Sequence, residues 1–254
     1  SVPAVSMYKG GPTQAKRVLR AFLSNHLANY QANRNHPEAD DVSHMSKYLH
    51  FGQMSPVALA LKVRQAKQGE QADRDAYLEE LIVRRELAHN YVHFTPHYDQ
   101  YRALPDWARN TLHAHRQDKR PGRYALTTLE NANTDDPYWN AAMLEMTATG
   151  HIHNYMRMYW GKKLLEWSTT PEKAFETTLY LNNKYFIDGR DCNSFANVGW
   201  IFGLHDRPWQ ERPVFGKVRY MNANGLRRKC DIEGYIEKVN ELARKEGYET
   251  TIQP

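Results

Sequence analysis

MRMYWGKKLLEW, residues 156–167, predicts an α-helix, because its aromatic residues recur at helical spacing. Trp160 and Trp167 are seven residues apart, which puts them on one face of an α-helix, two turns and ~10 Å from each other. Aromatic residues spaced in this way usually pack in a core. The alternative is a path for electrons, since indole can be oxidised transiently, and Trp139 on the neighbouring predicted helix could bridge the gap.

Helical patterns continue on both sides of this stretch. Asp135-Asp136-Pro137 begins a predicted helix that runs to Gly150, because an acidic cap followed by proline favours a helix start. Residues 31–46 are predicted to form a loop, and residues 186–230 a long irregular loop region with short helical turns. No βαβ alternation is present, so the predicted fold class is all-α with roughly seven to nine helices. Further helices are predicted from Thr13 onward, from Ser55-Pro56, and over 73–94, 152–167, 171–185 and 231–245.

The composition narrows the classes of function. The chain has 254 residues and a net charge of +5, which fits a partner that carries phosphates, although ordinary surface scatter gives the same value. Its two cysteines lack metal-ligand spacing, so neither a zinc site nor a disulfide framework is expected. Without a signal peptide or an apolar run of about 20 residues, we expect an intracellular, soluble protein of the cytoplasm or nucleus/nucleoid, with no membrane contact.

Two polar segments could bind a ligand or simply form turns. The serines of SHMSKYLHFGQ, residues 43–53, can donate to phosphate oxygens or cap a helix, and chemistry alone favours the cap. The segment NNKYFIDGRDCN, residues 182–193, alternates acid, base and amide groups, which suits a ring with many polar edges or a structured loop equally well. In the first case Arg157 could pair with Asp188.

The segment EELIVRREL, residues 79–87, carries charges among aliphatic residues. Glu80 and Arg84 lie four residues apart and are expected to share one face of an α-helix. A surface ion pair of this kind contributes little to stability. Charged residues packed so closely among Leu, Ile and Val indicate instead that some of them point into a polar pocket.

Seven stretches together resemble the class II DNA photolyases, in the order of that family, and cover nearly all of residues 13–240. The resemblance implies an all-α, multi-helical FAD-binding domain of the photolyase/cryptochrome family over residues 13–254, after a linker at residues 1–12. The family's N-terminal α/β antenna domain is expected to be absent from this chain. The stretches are SHMSKYLHFGQMSP, YLEELIVRRELAHNY, WNAAMLEM, MRMYWGKKLLEW, YLNNKYFIDGRDCN, GLHDRPWQERPVFGKVRYMN and GLRRKCDIEGYI.

The resemblance implies a site for FAD, which is active in its reduced form and is held in a folded conformation. Arg157 and Asp188 would form an ion pair beside the isoalloxazine ring. Asn182 would lie near N5 of that ring, with Asn193 as a neighbour. The residues implied around the phosphates and the ribityl chain are Tyr30, Ser43, His44, Met45, Ser46 and Gln53.

The resemblance also implies a carbon–carbon lyase that repairs cyclobutane pyrimidine dimers in UV-damaged DNA by electron transfer from excited reduced FAD to the flipped-out dimer. Glu80 would donate a hydrogen bond to the damaged bases, which requires a protonated carboxyl group. Trp160, Trp139 and Trp167 would relay electrons to the flavin, with Trp167 outermost. The implied contacts to the lesion or the DNA are Glu80, Met158, Trp200, Trp209, Arg227, Arg228 and Lys229, with Lys162 and Lys163 as further candidates.

Two other hypotheses remain, and the chain departs from the family in one residue of the cofactor segment. A cryptochrome-type flavin light receptor would keep the flavin pocket and the tryptophans but need not bind lesions. A helical nucleic-acid-binding module without a cofactor would explain the charge and the aromatic residues. Lys47 stands where the photolyases usually have proline, which is expected to loosen that turn. The protein is expected to be a monomer.

Overall fold

All the regular secondary structure of the protein is helical in the residues that the structure, a computed structural model, describes, which are 2–249 and 251–253. This confirms the predicted all-α fold class. None of the described helices is long and apolar enough to cross a membrane. The α-helices are α1 Pro12–Asn25, α2 Tyr30–Asn33, α3 Ser46–His50, α4 Pro56–Arg64, α5 Gln71–Leu78, α6 Arg85–Phe94, α7 Asp106–Ala114, α8 Leu126–Glu130, α9 Pro137–Thr149, α10 Asn154–Trp167, α11 Pro171–Tyr185, α12 Cys192–Ile201, α13 Ala223–Lys229 and α14 Ile232–Lys245; a π-helical turn, Glu79–Arg84, joins α5 to α6, and 3₁₀ turns lie at Leu27–Asn29 and Tyr101–Ala103.

Two helices begin with the capping residues that the sequence predicts. The Ser55 hydroxyl accepts a hydrogen bond from the Ala58 N–H at 3.3 Å, and the Asp136 carboxylate accepts one from the Trp139 N–H at 3.0 Å. Both caps are followed by a proline in the first turn. Proline lacks an N–H, but the N–H groups of the first turn have no acceptor within the helix, so no hydrogen bond is lost there. The described helices outnumber the prediction because several, such as α2 and α8, span five residues or fewer and carry no readable periodicity.

The region 186–230 is more regular than the sequence indicates. It holds α12, with ten residues, and α13, with seven, so its longest irregular part is residues 202–222. The sequence of α12, CNSFANVGWI, contains Gly, Asn and Val, which have low helix propensity. This helix packs against α6 and α11, and that tertiary packing overrides the weak local preference.

Three hydrophobic clusters form the core of the described chain. The first cluster packs α9, α10 and α14 around the fully buried Trp139. The second packs α6, α7, α11 and α12 around Phe175, and the third packs α1, α3, α4 and α5 around Phe22. Each cluster therefore packs helices that are distant in sequence against one another. This packing holds the ends of the loops that run between the clusters.

Gly150 joins two segments that carry site residues. It ends α9 in the left-handed conformation with φ +69°, and its carbonyl accepts a hydrogen bond from the Ile187 N–H at 3.0 Å. A Cβ at this position would lie 2.5 Å from Cγ1 of Ile187, so the approach requires glycine. The contact places His151 and Asp188 on the same side of the molecule.

Candidate cofactor and substrate cavity

A cavity of about 650 Å³ lies where the three hydrophobic clusters meet. Met45 of the third cluster, Ala88 of the second and Ile152 of the first all line it. Its volume falls within the range of ~300–1,000 Å³ that is usual for small-molecule and cofactor sites. Ten of the predicted site residues line this one cavity: Tyr30, Ser43, His44, Met45, Ser46, Glu80, Arg157, Asp188, Asn193 and Trp200.

The wall formed by residues 43–46 is polar and held from behind. The Ser43 hydroxyl accepts a hydrogen bond from the Tyr77 hydroxyl at 3.0 Å and one from the Met45 N–H at 3.3 Å. Burial is the main cause that raises the pKa of Tyr77, so this phenol stays protonated and acts as a donor. The serine keeps its own O–H for a partner in the cavity.

Arg157 and Asp188 both line the cavity, but they do not form the predicted ion pair. Among the residues that the structure describes, no carboxylate oxygen lies within 4.0 Å of the Arg157 guanidinium. The guanidinium carbon lies 3.9 Å from the centre of the Phe186 ring, and Nε is buried without a hydrogen-bond partner. Burial lowers the pKa of Arg157, while Asp188 and Glu145 oppose that shift. A buried donor without an acceptor indicates a place that a polar ligand can fill.

Glu80 lines the cavity, but its ion-pair geometry differs from the α-helical prediction. Residues 79–84 form a π-helical turn, in which neighbours along the helix are five residues apart. Arg84 therefore pairs with Glu79, with Nη2 and Oε1 3.1 Å apart, and not with Glu80. Glu80 instead pairs with Arg34, with Oε1 and Nη2 2.9 Å apart. The π turn thus frees Glu80 from its helix neighbour and turns it toward the cavity.

The three tryptophans form a continuous chain between α9 and α10, as predicted from their spacing. The rings of Trp139 and Trp160 are nearly parallel with centres 6.5 Å apart, and Trp139 meets Trp167 at 5.4 Å. Trp167 is slightly more exposed than the other two, which places it at the outer end. Its ring also meets the half-buried Tyr124 at 4.8 Å. Trp160 lies one helical turn from Arg157, which lines the cavity.

Trp200 lines the cavity next to the ion pair of Arg219 and Asp206, which no sequence pattern predicts. Arg219 binds Asp206 through two hydrogen bonds of 2.9 and 3.1 Å, and both residues line the cavity. Trp209 does not line it: this ring is 40% exposed and stacks on the Arg219 guanidinium at 4.2 Å. The arrangement gives one end of the cavity an aromatic wall with a charged rim.

Two curated relatives carry the same printed name and match nearly all of this chain. It is 51% identical over 237 residues to the deoxyribodipyrimidine photo-lyase of Methanothermobacter thermautotrophicus, covering 93% of this chain and 52% of that protein. It is 45% identical over 249 residues to the deoxyribodipyrimidine photo-lyase of Oryza sativa subsp. japonica, covering 96% of this chain and 49% of that protein. The chain thus spans about half the length of the relatives it matches. No protein-family model matches it.

Solved structures agree on the fold. The Synechocystis cryptochrome matches with a TM-score of 0.68 at 16% identity, over 97% of this chain and 50% of that chain. The archaeal photolyase of Sulfolobus tokodaii, which was solved with two FAD molecules, matches with a TM-score of 0.66 at 15% identity, over 99% of this chain and 54% of that chain.

The chain belongs to the photolyase/cryptochrome family, with the fold of its C-terminal FAD-binding domain. Several residues predicted from the family resemblance nevertheless lie outside the cavity of this photolyase/cryptochrome domain. Asn182 is buried and donates to the Asn183 side chain at 3.1 Å. The Gln53 side chain accepts from the Gly11 N–H at 2.8 Å, and Met158 does not line the cavity.

The basic candidates for DNA contact lie on other parts of the domain surface, with one exception. Arg227 donates to the Tyr138 hydroxyl at 2.7 Å, and Lys229 lies 4.4 Å from the ring centre of Tyr155. Arg228 borders a second, smaller cavity. Lys162 is fully buried and donates to a backbone carbonyl, so the prediction that it contacts phosphate is wrong. The half-buried Lys163 pairs with Glu166 and Asp136.

Three further polar residues that line the cavity and were not predicted are Arg34, His151 and Asp191. Arg34 lies just beyond α2, in a segment whose sequence indicates only a loop. His151 lies in the turn after Gly150 and meets the His44 ring at 5.2 Å. Asp191 caps α12 and accepts from His50 at 3.0 Å. A signal for Asp191 was present, since an acidic residue before a helical stretch is a common cap.

Proposed function

We propose that this chain is the flavin-binding domain of a class II photolyase that uses light to repair cyclobutane pyrimidine dimers in DNA. The observation that carries the proposal is that a single cavity holds both sets of residues that the reaction needs. Arg157, Asp188 and the serines of residues 43–46 suit a cofactor, while Glu80 and Trp200 suit a lesion. The relatives named deoxyribodipyrimidine photo-lyase support the same activity.

The residues that line the cavity fit FAD. The cavity has the volume of a cofactor site, and its wall offers hydroxyls, amides, a carboxylate and a guanidinium to a ligand with phosphates and a polar ring. The Nε–H of Arg157 has no partner, so it can donate a hydrogen bond to the edge of an isoalloxazine ring or to a phosphate oxygen. Tyr30, Ser43 and Ser46 would hold the phosphates and ribityl chain, and Arg157, Asp188 and Asn193 would surround the ring system.

The chain's own residues would receive and orient the lesion. A dimer inside duplex DNA must be flipped out to reach a buried cofactor, and damage has already weakened its pairing. Trp200 provides an aromatic wall, while Glu80 would contact a dimer carbonyl, a role in which its carboxyl group must act as a hydrogen-bond donor and leave the ion pair with Arg34. When bound, reduced FAD would supply the electron that light releases to split the cyclobutane ring.

Trp167, Trp139 and Trp160 would provide an internal path for electrons from the surface to the cavity wall. Their rings follow one another at 5.4 and 6.5 Å, without a gap that solvent fills. We further propose that Arg227, Arg228 and Lys229 contact the DNA backbone around the lesion, since Lys and Arg gain free energy by displacing counterions from phosphates.

A cryptochrome-type light receptor is the alternative, favoured by the structural match to the Synechocystis cryptochrome. It would share the flavin cavity and the tryptophan chain. Glu80 and Trp200 both line the cavity, which favours repair, because a receptor has no need for an acid and an aromatic wall in reach of a lesion.

Illumination of the reduced, FAD-loaded protein with a dimer-containing oligonucleotide tests the proposal. We expect restored thymines, and a several-fold lower yield for Glu80→Ala while the flavin absorbance of the purified protein is retained. Glu176→Ala is the matched control, because Glu176 is an exposed acid and neither it nor its partner Lys173 lines the cavity. A flavin-loaded protein that repairs nothing would support the receptor, and equal yields for both variants would remove the role of Glu80.

A further inference from the structure

The segment before α1 lies against the wall of the cavity instead of forming a free linker. The Tyr48 hydroxyl donates to the Lys9 carbonyl at 3.0 Å, and the Gly11 N–H donates to the Gln53 side chain at 2.8 Å. These bonds connect residues 2–11 to α3 and to the loop that follows it. Because α3 directly continues the polar wall of residues 43–46, the segment is in a position to respond to whatever fills the cavity.

Tyr8 holds the ring of His44, which lines the cavity. The Tyr8 hydroxyl lies 2.9 Å from Nδ1 of His44, and Asp40 lies 3.3–3.4 Å from Nε2. Burial, assisted by Asp40, raises the pKa of Tyr8, and burial lowers the pKa of His44. The tyrosine therefore donates to Nδ1 of a neutral imidazole, and the single N–H of that ring, at Nε2, donates to Asp40. His44 has φ +52°, a conformation that a histidine keeps only when its surroundings fix it.

Lys47 completes this cluster with a buried positive charge that lacks a counterion. Its side chain is 3% exposed, and its Nζ lies 3.6 Å from the centre of the Tyr8 ring and 3.4 Å from the His44 carbonyl. Among the described residues, no carboxylate oxygen lies within 4.0 Å of this Nζ. Burial lowers its pKa to about 7, although Asp188 and Asp40 oppose the shift. A buried ammonium without an opposite charge is unfavourable until an anion arrives nearby.

We propose that Tyr8 and Lys47 are positioning residues that fix His44 in the cavity wall and couple docking of residues 2–11 to the binding of an anionic nucleotide. The identity of that nucleotide as FAD rests on the proposed function. The nucleotide phosphates supply the negative charge that Lys47 lacks, and they do so across the wall that His44 and Ser46 form.

Titration of FAD into the apoprotein, followed by flavin fluorescence, measures the coupling in the full chain. Tyr8→Phe removes one hydrogen bond and should weaken FAD binding about fivefold, since a net hydrogen bond contributes ~1 kcal/mol. Tyr8→Leu also removes the aromatic ring under Lys47 and should weaken binding further. Lys47→Met should weaken binding yet raise the melting temperature of the apoprotein, because it removes an uncompensated buried charge. Lys16→Met, which removes the same charge from an exposed site on α1, is the control and should change neither.

Limited trypsin digestion provides a second measurement of the coupling, because Lys9 is exposed within the docked segment and trypsin cleaves after lysine. FAD should slow cleavage after Lys9 in the wild type, and this protection should disappear in Tyr8→Leu. Wild-type affinity in Tyr8→Leu and Lys47→Met would overturn the inference, as would a Lys47→Met variant whose melting temperature and FAD affinity both fall. A wild-type protein that binds no FAD would instead overturn the proposed function and, with it, the inference.

Discussion

Lys162 shows how a single residue can be misread from its type. A lysine in the sequence WGKK indicates an exposed cation, yet Lys162 is fully buried between α10 and α12. Its ammonium donates to the carbonyl of Ile201, one of the carbonyls that the end of α12 leaves without a helical partner. Because Trp200 precedes that carbonyl and Asp206 follows shortly after, Lys162 supports the turn that lines one end of the cavity.

Burial of Lys162 predicts a specific pH dependence of stability. Burial lowers its pKa to about 7, with Asp206 opposing the shift and Arg219 adding to it, whereas the unfolded chain has a lysine pKa of about 10.4. Between these values the unfolded chain binds more protons, so this residue makes the free energy of unfolding rise with pH. We therefore expect the free energy of unfolding of Lys162→Met minus that of the wild type to be more positive at pH 7 than at pH 10, as measured by urea unfolding.

The exposed Lys173 provides the control for this experiment. Lys173→Met should differ from the wild type by the same free energy at both pH values, because the exposed ammonium of Lys173 stays in contact with water in the folded protein. An identical difference at both pH values for Lys162→Met as well would contradict the assignment of Lys162 as a buried, weakly basic group.

At the scale of elements, the packing of α9 against α10 brings the indoles together. Trp139→Phe removes the ring that links Trp160 to Trp167. We expect this variant to lose most of the rate at which light and an external donor reduce the bound flavin, while repair by chemically reduced protein stays unchanged. Trp107→Phe, which alters a half-buried tryptophan packed against the second cluster, serves as the control. Unchanged photoreduction in Trp139→Phe would exclude this ring from the electron path.

Helices with caps and clear periodicity could be predicted, whereas one decisive local feature could not. The start of α9 at Asp136 and its end at Gly150 follow from the sequence, because each residue has a local physical reason to be there. The π turn at Glu79–Arg84 has no such signal, since EELIVR has high helix propensity and tertiary packing alone inserts the extra residue. That turn decides which acid pairs with which arginine, so the pairing of Glu80 was predicted wrongly.

For the molecule as a whole, the cavity arises because three separate cores meet without filling the space between them. Collinear motifs predicted part of its wall, since residues such as Ser43 and Asp188 lie within them. The contribution of residues 2–11 was not predicted, because Tyr8 lies in a segment rich in Pro and Gly that indicates a linker. Contacts between segments that are distant in sequence, such as Tyr8 with His44, leave no periodic pattern in a single sequence.

Buried histidines near this cavity should make the whole fold sensitive to acid. Burial lowers the pKa of His44, His151 and His153, and Lys238 assists burial in lowering that of His153 to about 3. The unfolded chain binds protons at these sites from about pH 6.5 downward, so the free energy of unfolding should fall as the pH drops below that value. Glu145, whose pKa burial raises, acts in the opposite direction and partly offsets the loss.

His153→Asn separates these effects. The His153 side chain caps α10 by accepting from the Tyr155 N–H at 3.2 Å, and asparagine can accept the same bond without gaining a proton in acid. Urea unfolding at pH 7 and pH 5 should therefore show a smaller loss of stability in His153→Asn than in the wild type, although the variant is less well packed at pH 7. Glu145 is present in both proteins and cancels in the comparison. Equal losses would mean that His153 takes up its proton within the folded protein, and the acid sensitivity would then have to come from His44 and His151.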